Sequence, residues 1–236
     1  MKQEFTRIAV KVGSNVLTRR DGTLNVTRMS ALVDQIAELH KSGVEIILIS
    51  SGAVASGRSE VHPQKKLDSV DQRQLFSAVG QAKLINRYYE LFREHNIPVG
   101  QVLTTKESFG TRRHYLNQKN CMTVMLENGV IPIVNENDTV ATHEIEIGDN
   151  DTLSAIVASM IGADLLILLS DIDGLYTDDP RANPDAKFIE TVEHLDESFL
   201  RMGKSTTGSG VGTGGMSTKL TAATIATASG ADMVIA

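Results

Sequence analysis

Two lysines, Lys11 and Lys219, stand near opposite ends of this 236-residue chain, each within four residues of a glycine in a setting that suits an anion. Lys11 lies in an otherwise apolar run directly before Val12-Gly13-Ser14-Asn15. A lysine in a buried strand is costly without a partner, so it either snorkels to water or reaches an anion. The glycine that follows favours the anion, because it lets backbone approach closely. Lys219 closes Gly212-Thr213-Gly214-Gly215-Met216-Ser217-Thr218-Lys219, where glycines strip side chains from a turn opening a helix, so that N–H groups can face an anion. Together these segments describe a phosphate site. Gly148-Asp149-Asn150-Asp151-Thr152 opens another helix and does the opposite job, placing acidic and amide groups where a cation, an ammonium or a lysine must be held.

Three further segments have the polarity of a site. Ser50-Ser51-Gly52-Ala53 ends an apolar strand with small residues, a weak signal that gains weight from the Lys11 segment. Asn135-Glu136-Asn137-Asp138 follows the strand Val130 to Val134 and is too acidic for an ordinary turn; carboxylates there could bind a metal, orient a lysine or receive an ammonium. Asp171 to Arg181 leaves another strand and reads either as a hairpin around Asp173-Gly174 or as the wall of a nucleotide site. Look-alikes fail. No Gly-Lys-Ser/Thr occurs, so this is not a Walker loop, and Gly210, Gly212 and Gly215 follow a polar loop where the dinucleotide fingerprint needs a strand. Asp149-Asn150-Asp151 lacks the ligand spacing of an EF-hand.

The elements that must position these residues alternate between strand-length apolar runs and helix-period segments, the pattern of a mostly parallel sheet covered on both faces. Strands are expected at Ile8 to Val12, Val44 to Ile49, Pro98 to Leu103, Val130 to Val134, Leu165 to Leu169 and Met233 to Ile235. Helices are expected through Met29 to Leu39, with Gly43 as a left-handed C-terminal cap, through Gln72 to Arg93, through Tyr115 to Glu127, from about Asp149 to before Gly162, and from Met216 onward. Arg58 to Asp71, Thr139 to Ile147, and Asp173 to Asn183 with the stretch after Met202 interrupt this rhythm, and insertions of this kind usually carry function. No repeat or linker divides the chain, so residues 1–236 read as one domain.

Composition narrows the classes. The net charge of −6 and pI near 5.5 oppose a broad nucleic-acid surface. No apolar stretch reaches the roughly 20 residues that span a bilayer, and the mixed-charge start Met1 to Arg7 is not a signal peptide. Cys121 is the only cysteine, so no intrachain disulfide forms; with Met122, Val124 and Met125 around it, it reads as a core helix residue. A cytoplasmic protein is expected.

Six segments in this order, Lys11-Val12-Gly13-Ser14, Ser51-Gly52-Ala53, Asn135 to Asp138, Gly148 to Asp151, Asp173 to Thr177 with Asp179-Pro180-Arg181, and Gly212 to Lys219, make the chain resemble the amino acid kinase family over essentially its whole length. Within that family it is most similar to the members that phosphorylate L-glutamate. The resemblance implies a three-layer α/β/α sandwich in which ATP, with Mg²⁺ on its phosphates, meets L-glutamate across the C-terminal edge of the sheet. The product implied by the resemblance would be glutamate 5-phosphate, on the route to proline. Carried over, Lys11, Gly13, Ser14 and the run Thr213, Gly214, Gly215, Met216, Ser217, Thr218 and Lys219 contact the phosphates of ATP, while Ser170 and Asp171 meet the nucleotide. Ser51, Gly52, Asn135, Asp138 and Asn150 hold glutamate, with Asp138 on its α-ammonium and Asn150 among the donors to its α-carboxylate.

Physical reasoning agrees with that assignment. A γ-carboxylate is already ionised at neutral pH and needs no general base, so catalysis reduces to alignment and charge stabilisation. Lys11 and Lys219 would neutralise the transferring group, Gly13 and Gly52 would offer backbone donors, and Asp151 would fix the lysines; no residue is assigned as a direct metal ligand. The resemblance further implies a homo-oligomer, dimer or tetramer, and feedback inhibition by proline near Thr139 to Ile147. Many members carry a C-terminal PUA domain, absent from these residues, and their kinase domain continues past the position of Ala236, so the chain is expected to be truncated there. A different carboxylate or carbamate acceptor, a sensing module without turnover, and a dinucleotide oxidoreductase are the alternatives.

Overall fold

The computed structural model describes residues 5–105, 107–140, 150–180, 182–196, 199 and 215–236. Its strands are β1 (Arg7–Val12), β2 (Glu45–Ser50), β3 (Val99–Thr104), β4 (Ile131–Glu136), β5 (Leu165–Leu169), β6 (Leu175–Tyr176), β7 (Phe188–Ile189) and β8 (Asp232–Ile235). Six of them form a parallel sheet in the order β3-β4-β2-β1-β5-β8. The short β6 and β7 pair antiparallel, but Asp173-Gly174 precedes β6 and does not form the turn between the two strands, so the hairpin expected around it is not the one found.

Helices cover both faces. On one side, α2 (Val26–Lys41) and α4 (Ser69–Glu94) bring Met29, Val33, Ile36, Leu84, Tyr88 and Phe92 against Ile8, Val10, Ile46 and Leu48. On the other, α6 (Arg112–Glu127), α7 (Asn150–Ile161) and α8 (Met216–Ala228) bring Met122, Leu153, Ala158, Ala222 and Ala226 against Ala9, Ile47, Ile49 and Leu168. Ile46 to Ile49 are all fully buried, alternating between the two cores as a strand's two-residue period requires. That parity decides the site. Lys11 shares its face with Ala9, so its side chain leaves β1 on the side of α7 and α8.

Element existence follows the sequence expectation, whereas several ends shift. Asn135 and Glu136 belong to β4 because each continues the ladder with β3, Asn135 opposite Leu103 and Glu136 opposite Thr104. The α6 helix starts at Arg112 because Thr111 caps it, accepting from His114 N at 3.2 Å. Gly43 has φ 98°, the expected left-handed cap. Three short helices were not expected: α1 (Ser14–Leu17), α3 (Ala53–Arg58) and α5 (Glu107–Gly110). The α3 helix lies hard against α4, where a Cβ on Gly57 would come within 1.8 Å of Phe76 O and one on Gly80 within 1.8 Å of Ala53 O. Only glycine permits this approach, which fixes the loop after β2 against the helix that flanks the site. Cys121 corrects the reading of a core thiol: it is exposed, as is Val124, while Met122 one position on fills the core.

Candidate active site

A cleft of about 410 Å³ opens at the C-terminal ends of β1, β2, β4 and β5. From β1 the chain adds strands toward β3 on one side and toward β8 on the other, and clefts in open parallel sheets form where the order reverses in this way. Its floor is an ionic triad. Lys11 Nζ lies 2.5 Å from Asp151 Oδ1, and Lys219 Nζ lies 3.0 Å from Asp151 Oδ2. Thr218 Oγ1 also donates to Asp151 Oδ2 at 3.0 Å. The three charged residues are 7%, 0% and 3% exposed in chain order, so they interact with little screening.

Burial alone would push the Asp151 carboxyl up; the adjoining charges of Lys11 and Lys219 outweigh it and hold the group below the usual carboxylate range. One carboxylate between two ammonium groups leaves a surplus positive charge at the cleft floor. Such a floor attracts a polyanion.

A second polar group lines the same cleft. Asn150 Nδ2 donates to Ser51 Oγ at 2.7 Å and to Asn135 Oδ1 at 3.1 Å, and Asn135 Nδ2 donates to Gln81 Oε1 at 2.9 Å. Asp138 is engaged by Arg73, whose Nε donates to Asp138 Oδ1 at 2.8 Å and whose Nη2 lies 2.6 Å from the same oxygen. Arg73 Nη2 also stands 3.4 Å from Glu136 Oε2. Two buried carboxylates thus share one guanidinium.

The third edge holds Ser14, Asn15, Ser170 and Asp171, all lining the cleft, with Asn15 Nδ2 donating to Asp171 Oδ2 at 3.2 Å. Lys11, Gly13, Ser14, Ser51, Gly52, Asn135, Asp138, Asn150, Asp151, Ser170, Asp171 and Lys219 are therefore brought together in the lining of one cleft. Gly215, Met216 and Ser217 start α8 beside the cleft without lining it, and Thr213, Gly214, Gly148 and Asp149 lie outside the described residues.

Two roles are corrected. Gly13 does not offer its N–H to the cleft, because it donates to Leu169 O at 3.0 Å and extends the β1–β5 pairing; its lack of a side chain is what matters, since a Cβ would sit 3.3 Å from that oxygen and 3.6 Å from Lys11 Nζ. Asn150 has both amide hydrogens committed to Ser51 and Asn135, so it is not a free donor to an α-carboxylate. Sequence reasoning missed Arg58, Gln72 and Arg73, which line the cleft, and Gln81 behind it.

Among the described residues no group of three or more His, Cys, Asp or Glu side chains could cage a metal ion. The donor set suits a cation that arrives on phosphate oxygens, as Mg²⁺ does, because both Asp151 oxygens are already matched to ammonium groups.

The chain matches the model of the amino acid kinase family over residues 6–236. It is 71% identical over 238 residues to the glutamate 5-kinase of Bacteroides thetaiotaomicron, covering 100% of this chain and 65% of that protein. It is 46% identical over 230 residues to the glutamate 5-kinase of Clostridium acetobutylicum, covering 98% of this chain and 86% of that protein. The chain thus spans just under two thirds of the Bacteroides relative. Its fold is similar to those of UMP kinase from Ureaplasma parvum, with a TM-score of 0.63 at 14% identity over 99% of this chain and 90% of that one, and of carbamate kinase from Giardia lamblia bound to AMP-PNP, with 0.62 at 14% identity over 98% and 92%.

Proposed function

This chain belongs to the amino acid kinase family, and on that premise we propose that it transfers the γ-phosphoryl group of ATP to the γ-carboxylate of L-glutamate, giving ADP and L-glutamate 5-phosphate, the first step of proline biosynthesis. The observation that carries this reading is the pair Lys11 and Lys219 on one buried carboxylate, facing an end of the cleft built for an amino acid's charges. Identity to proteins of that activity supports it.

The phosphates lie toward Lys11, Lys219 and the start of α8, and the nucleoside toward Ser170 and Asp171. Mg²⁺, arriving on the nucleotide, would neutralise part of the phosphate charge. Glutamate occupies the end lined by Ser51, Gly52, Asn135, Asp138 and Asn150. Its γ-carboxylate attacks without losing a proton, so the protein supplies alignment and two ammonium groups for the charge that spreads over the equatorial oxygens. Asp151 keeps those groups in place and the surplus charge in check. The natural test is ADP release from ATP with L-glutamate, N-acetylglutamate, aspartate, carbamate and UMP as acceptors in turn; L-glutamate alone should turn over, and turnover with another acceptor would displace this reading.

Asp138→Asn should raise the KM for L-glutamate roughly ten- to a hundredfold, since the α-ammonium loses a charged partner, with the KM for ATP nearly unchanged. A rise confined to the ATP KM would move this loop to the nucleotide side. Proline carries the ammonium and α-carboxylate of glutamate without the reactive carboxylate, so millimolar proline should raise the apparent glutamate KM and leave kcat alone. Unchanged rates would remove proline as an effector of this chain. The expected control segment, Thr139 to Ile147, lies outside the described residues from position 141. A homo-oligomer in the cytoplasm completes the reading; among the described residues no helix is long and apolar enough to cross a membrane.

A further inference from the structure

Four polar side chains from four parts of the chain form one hydrogen-bonded row that runs from Gln81, behind the cleft, to three residues of its lining. Gln81 on α4 accepts from Asn135 on β4, Asn135 accepts from Asn150 at the start of α7, and Asn150 also donates to Ser51 after β2. A carboxamide oxygen only accepts and its nitrogen only donates, so the direction of each bond dictates the next. Because Gln81 presents oxygen to Asn135, Asn135 turns its own oxygen to Asn150, and Asn150 turns its nitrogen to both neighbours. Two consequences reach the cleft. With both N–H groups of Asn150 committed, the polar atom its amide has left to offer is Oδ1, an acceptor suited to an ammonium. Ser51 Oγ already accepts one bond, so its O–H is left to donate, which suits a carboxylate.

We propose that Gln81, which does not line the cleft, is a positioning residue that sets the polarity of this row and so makes the site read an ammonium at Asn150 and a carboxylate at Ser51. The inference rests on the amino acid acceptor assigned above and deepens it by saying which group meets which charge. Asn135 is only 2% exposed, so water cannot replace Gln81 as its acceptor. Without that acceptor the Asn135 amide is released to rotate, and Asn150 can turn its nitrogen toward the substrate's ammonium.

The test compares glutamate and ATP kinetics for the full chain and three variants. Gln81→Glu keeps an oxygen toward Asn135 and should hold the glutamate KM within about threefold. Gln81→Met, of similar length without an acceptor, should raise it roughly tenfold while the ATP KM and kcat stay within about twofold. Asn135→Asp provides the second measurement: an aspartate accepts from Asn150 through either oxygen, so in that background Gln81→Met should add nothing to the glutamate KM. Equal impairment by Gln81→Glu and Gln81→Met, a loss confined to kcat or melting temperature, or a full Gln81→Met effect in the Asn135→Asp background would overturn the proposal. Absence of glutamate turnover in the unaltered chain would instead overturn the assignment of the acceptor.

Discussion

Lys219→Met should lower kcat about 10²- to 10³-fold, roughly 3–4 kcal/mol of transition-state stabilisation, while leaving the KM for L-glutamate nearly unchanged. The ammonium sits in a buried floor where water cannot substitute for it, and the charge it meets appears only as the phosphoryl group moves. The fold should tolerate the change, because Asp151 keeps Lys11 at 2.5 Å and the site loses only its surplus charge. Lys11→Met should behave alike, leaving the pair of Asp151 with Lys219 at 3.0 Å. Since both lysines act on one developing charge, the double variant should lose much less than the product of the single losses. Steady-state kinetics on the three variants decide this, and wild-type turnover by Lys219→Met would reduce the glycine-rich segment to a structural loop.

Asp151→Asn should be the most damaging single change to the fold of the site. Two buried ammonium groups then face each other without a counter-charge, and removing one partner of a buried ion pair typically costs about 3–5 kcal/mol. Denaturant midpoints should fall accordingly, and kcat should fall with them as the lysines move apart. The pH dependence identifies the cause. The folded pKa of Asp151 lies below its ordinary value of 3.8, so its contribution is fully present above about that pH and is lost as pH falls through the depressed folded value. The stability gap between wild type and Asp151→Asn should therefore be flat from neutral pH down to about 5 and close only in stronger acid. A gap that already closes between pH 7 and 5 would point to a different titrating group.

What the sequence disclosed and what it concealed have separate physical reasons. Lys11 was legible because a charge inside an apolar strand is costly and demands a partner, Lys219 because it closes a glycine-rich helix start, and Asp151 because it sits in an acidic one; their pairing follows from strand parity and those two helix starts. The parallel sheet was legible for the same reason that Ile46 to Ile49 are buried on both faces: a continuous apolar run has no solvent side. Arg73 and Gln81 were not legible, because on the 26-residue helix α4 they look like ordinary polar positions of an amphipathic surface. Only the packing of α4 against α3 and the acidic end of β4 turns them inward. The short helix Ala53–Arg58 was hidden by its composition, since serine and glycine give it no periodic signal and its glycine serves contact with α4. Gly13 shows a different limit: the need for glycine was readable, whereas the partner of its N–H depends on β5, more than 150 residues later.

Transfer to a carboxylate oxygen leaves a mark that a label can read. L-glutamate carrying ¹⁸O in its γ-carboxylate is incubated with ATP, Mg²⁺ and the protein, and hydroxylamine traps any acyl phosphate by attack at the carbonyl carbon. γ-Glutamyl hydroxamate is expected in amounts matching the ADP formed, together with inorganic phosphate that carries one ¹⁸O from the bridging position. ADP formed without hydroxamate, or phosphate without the label, would contradict that transfer.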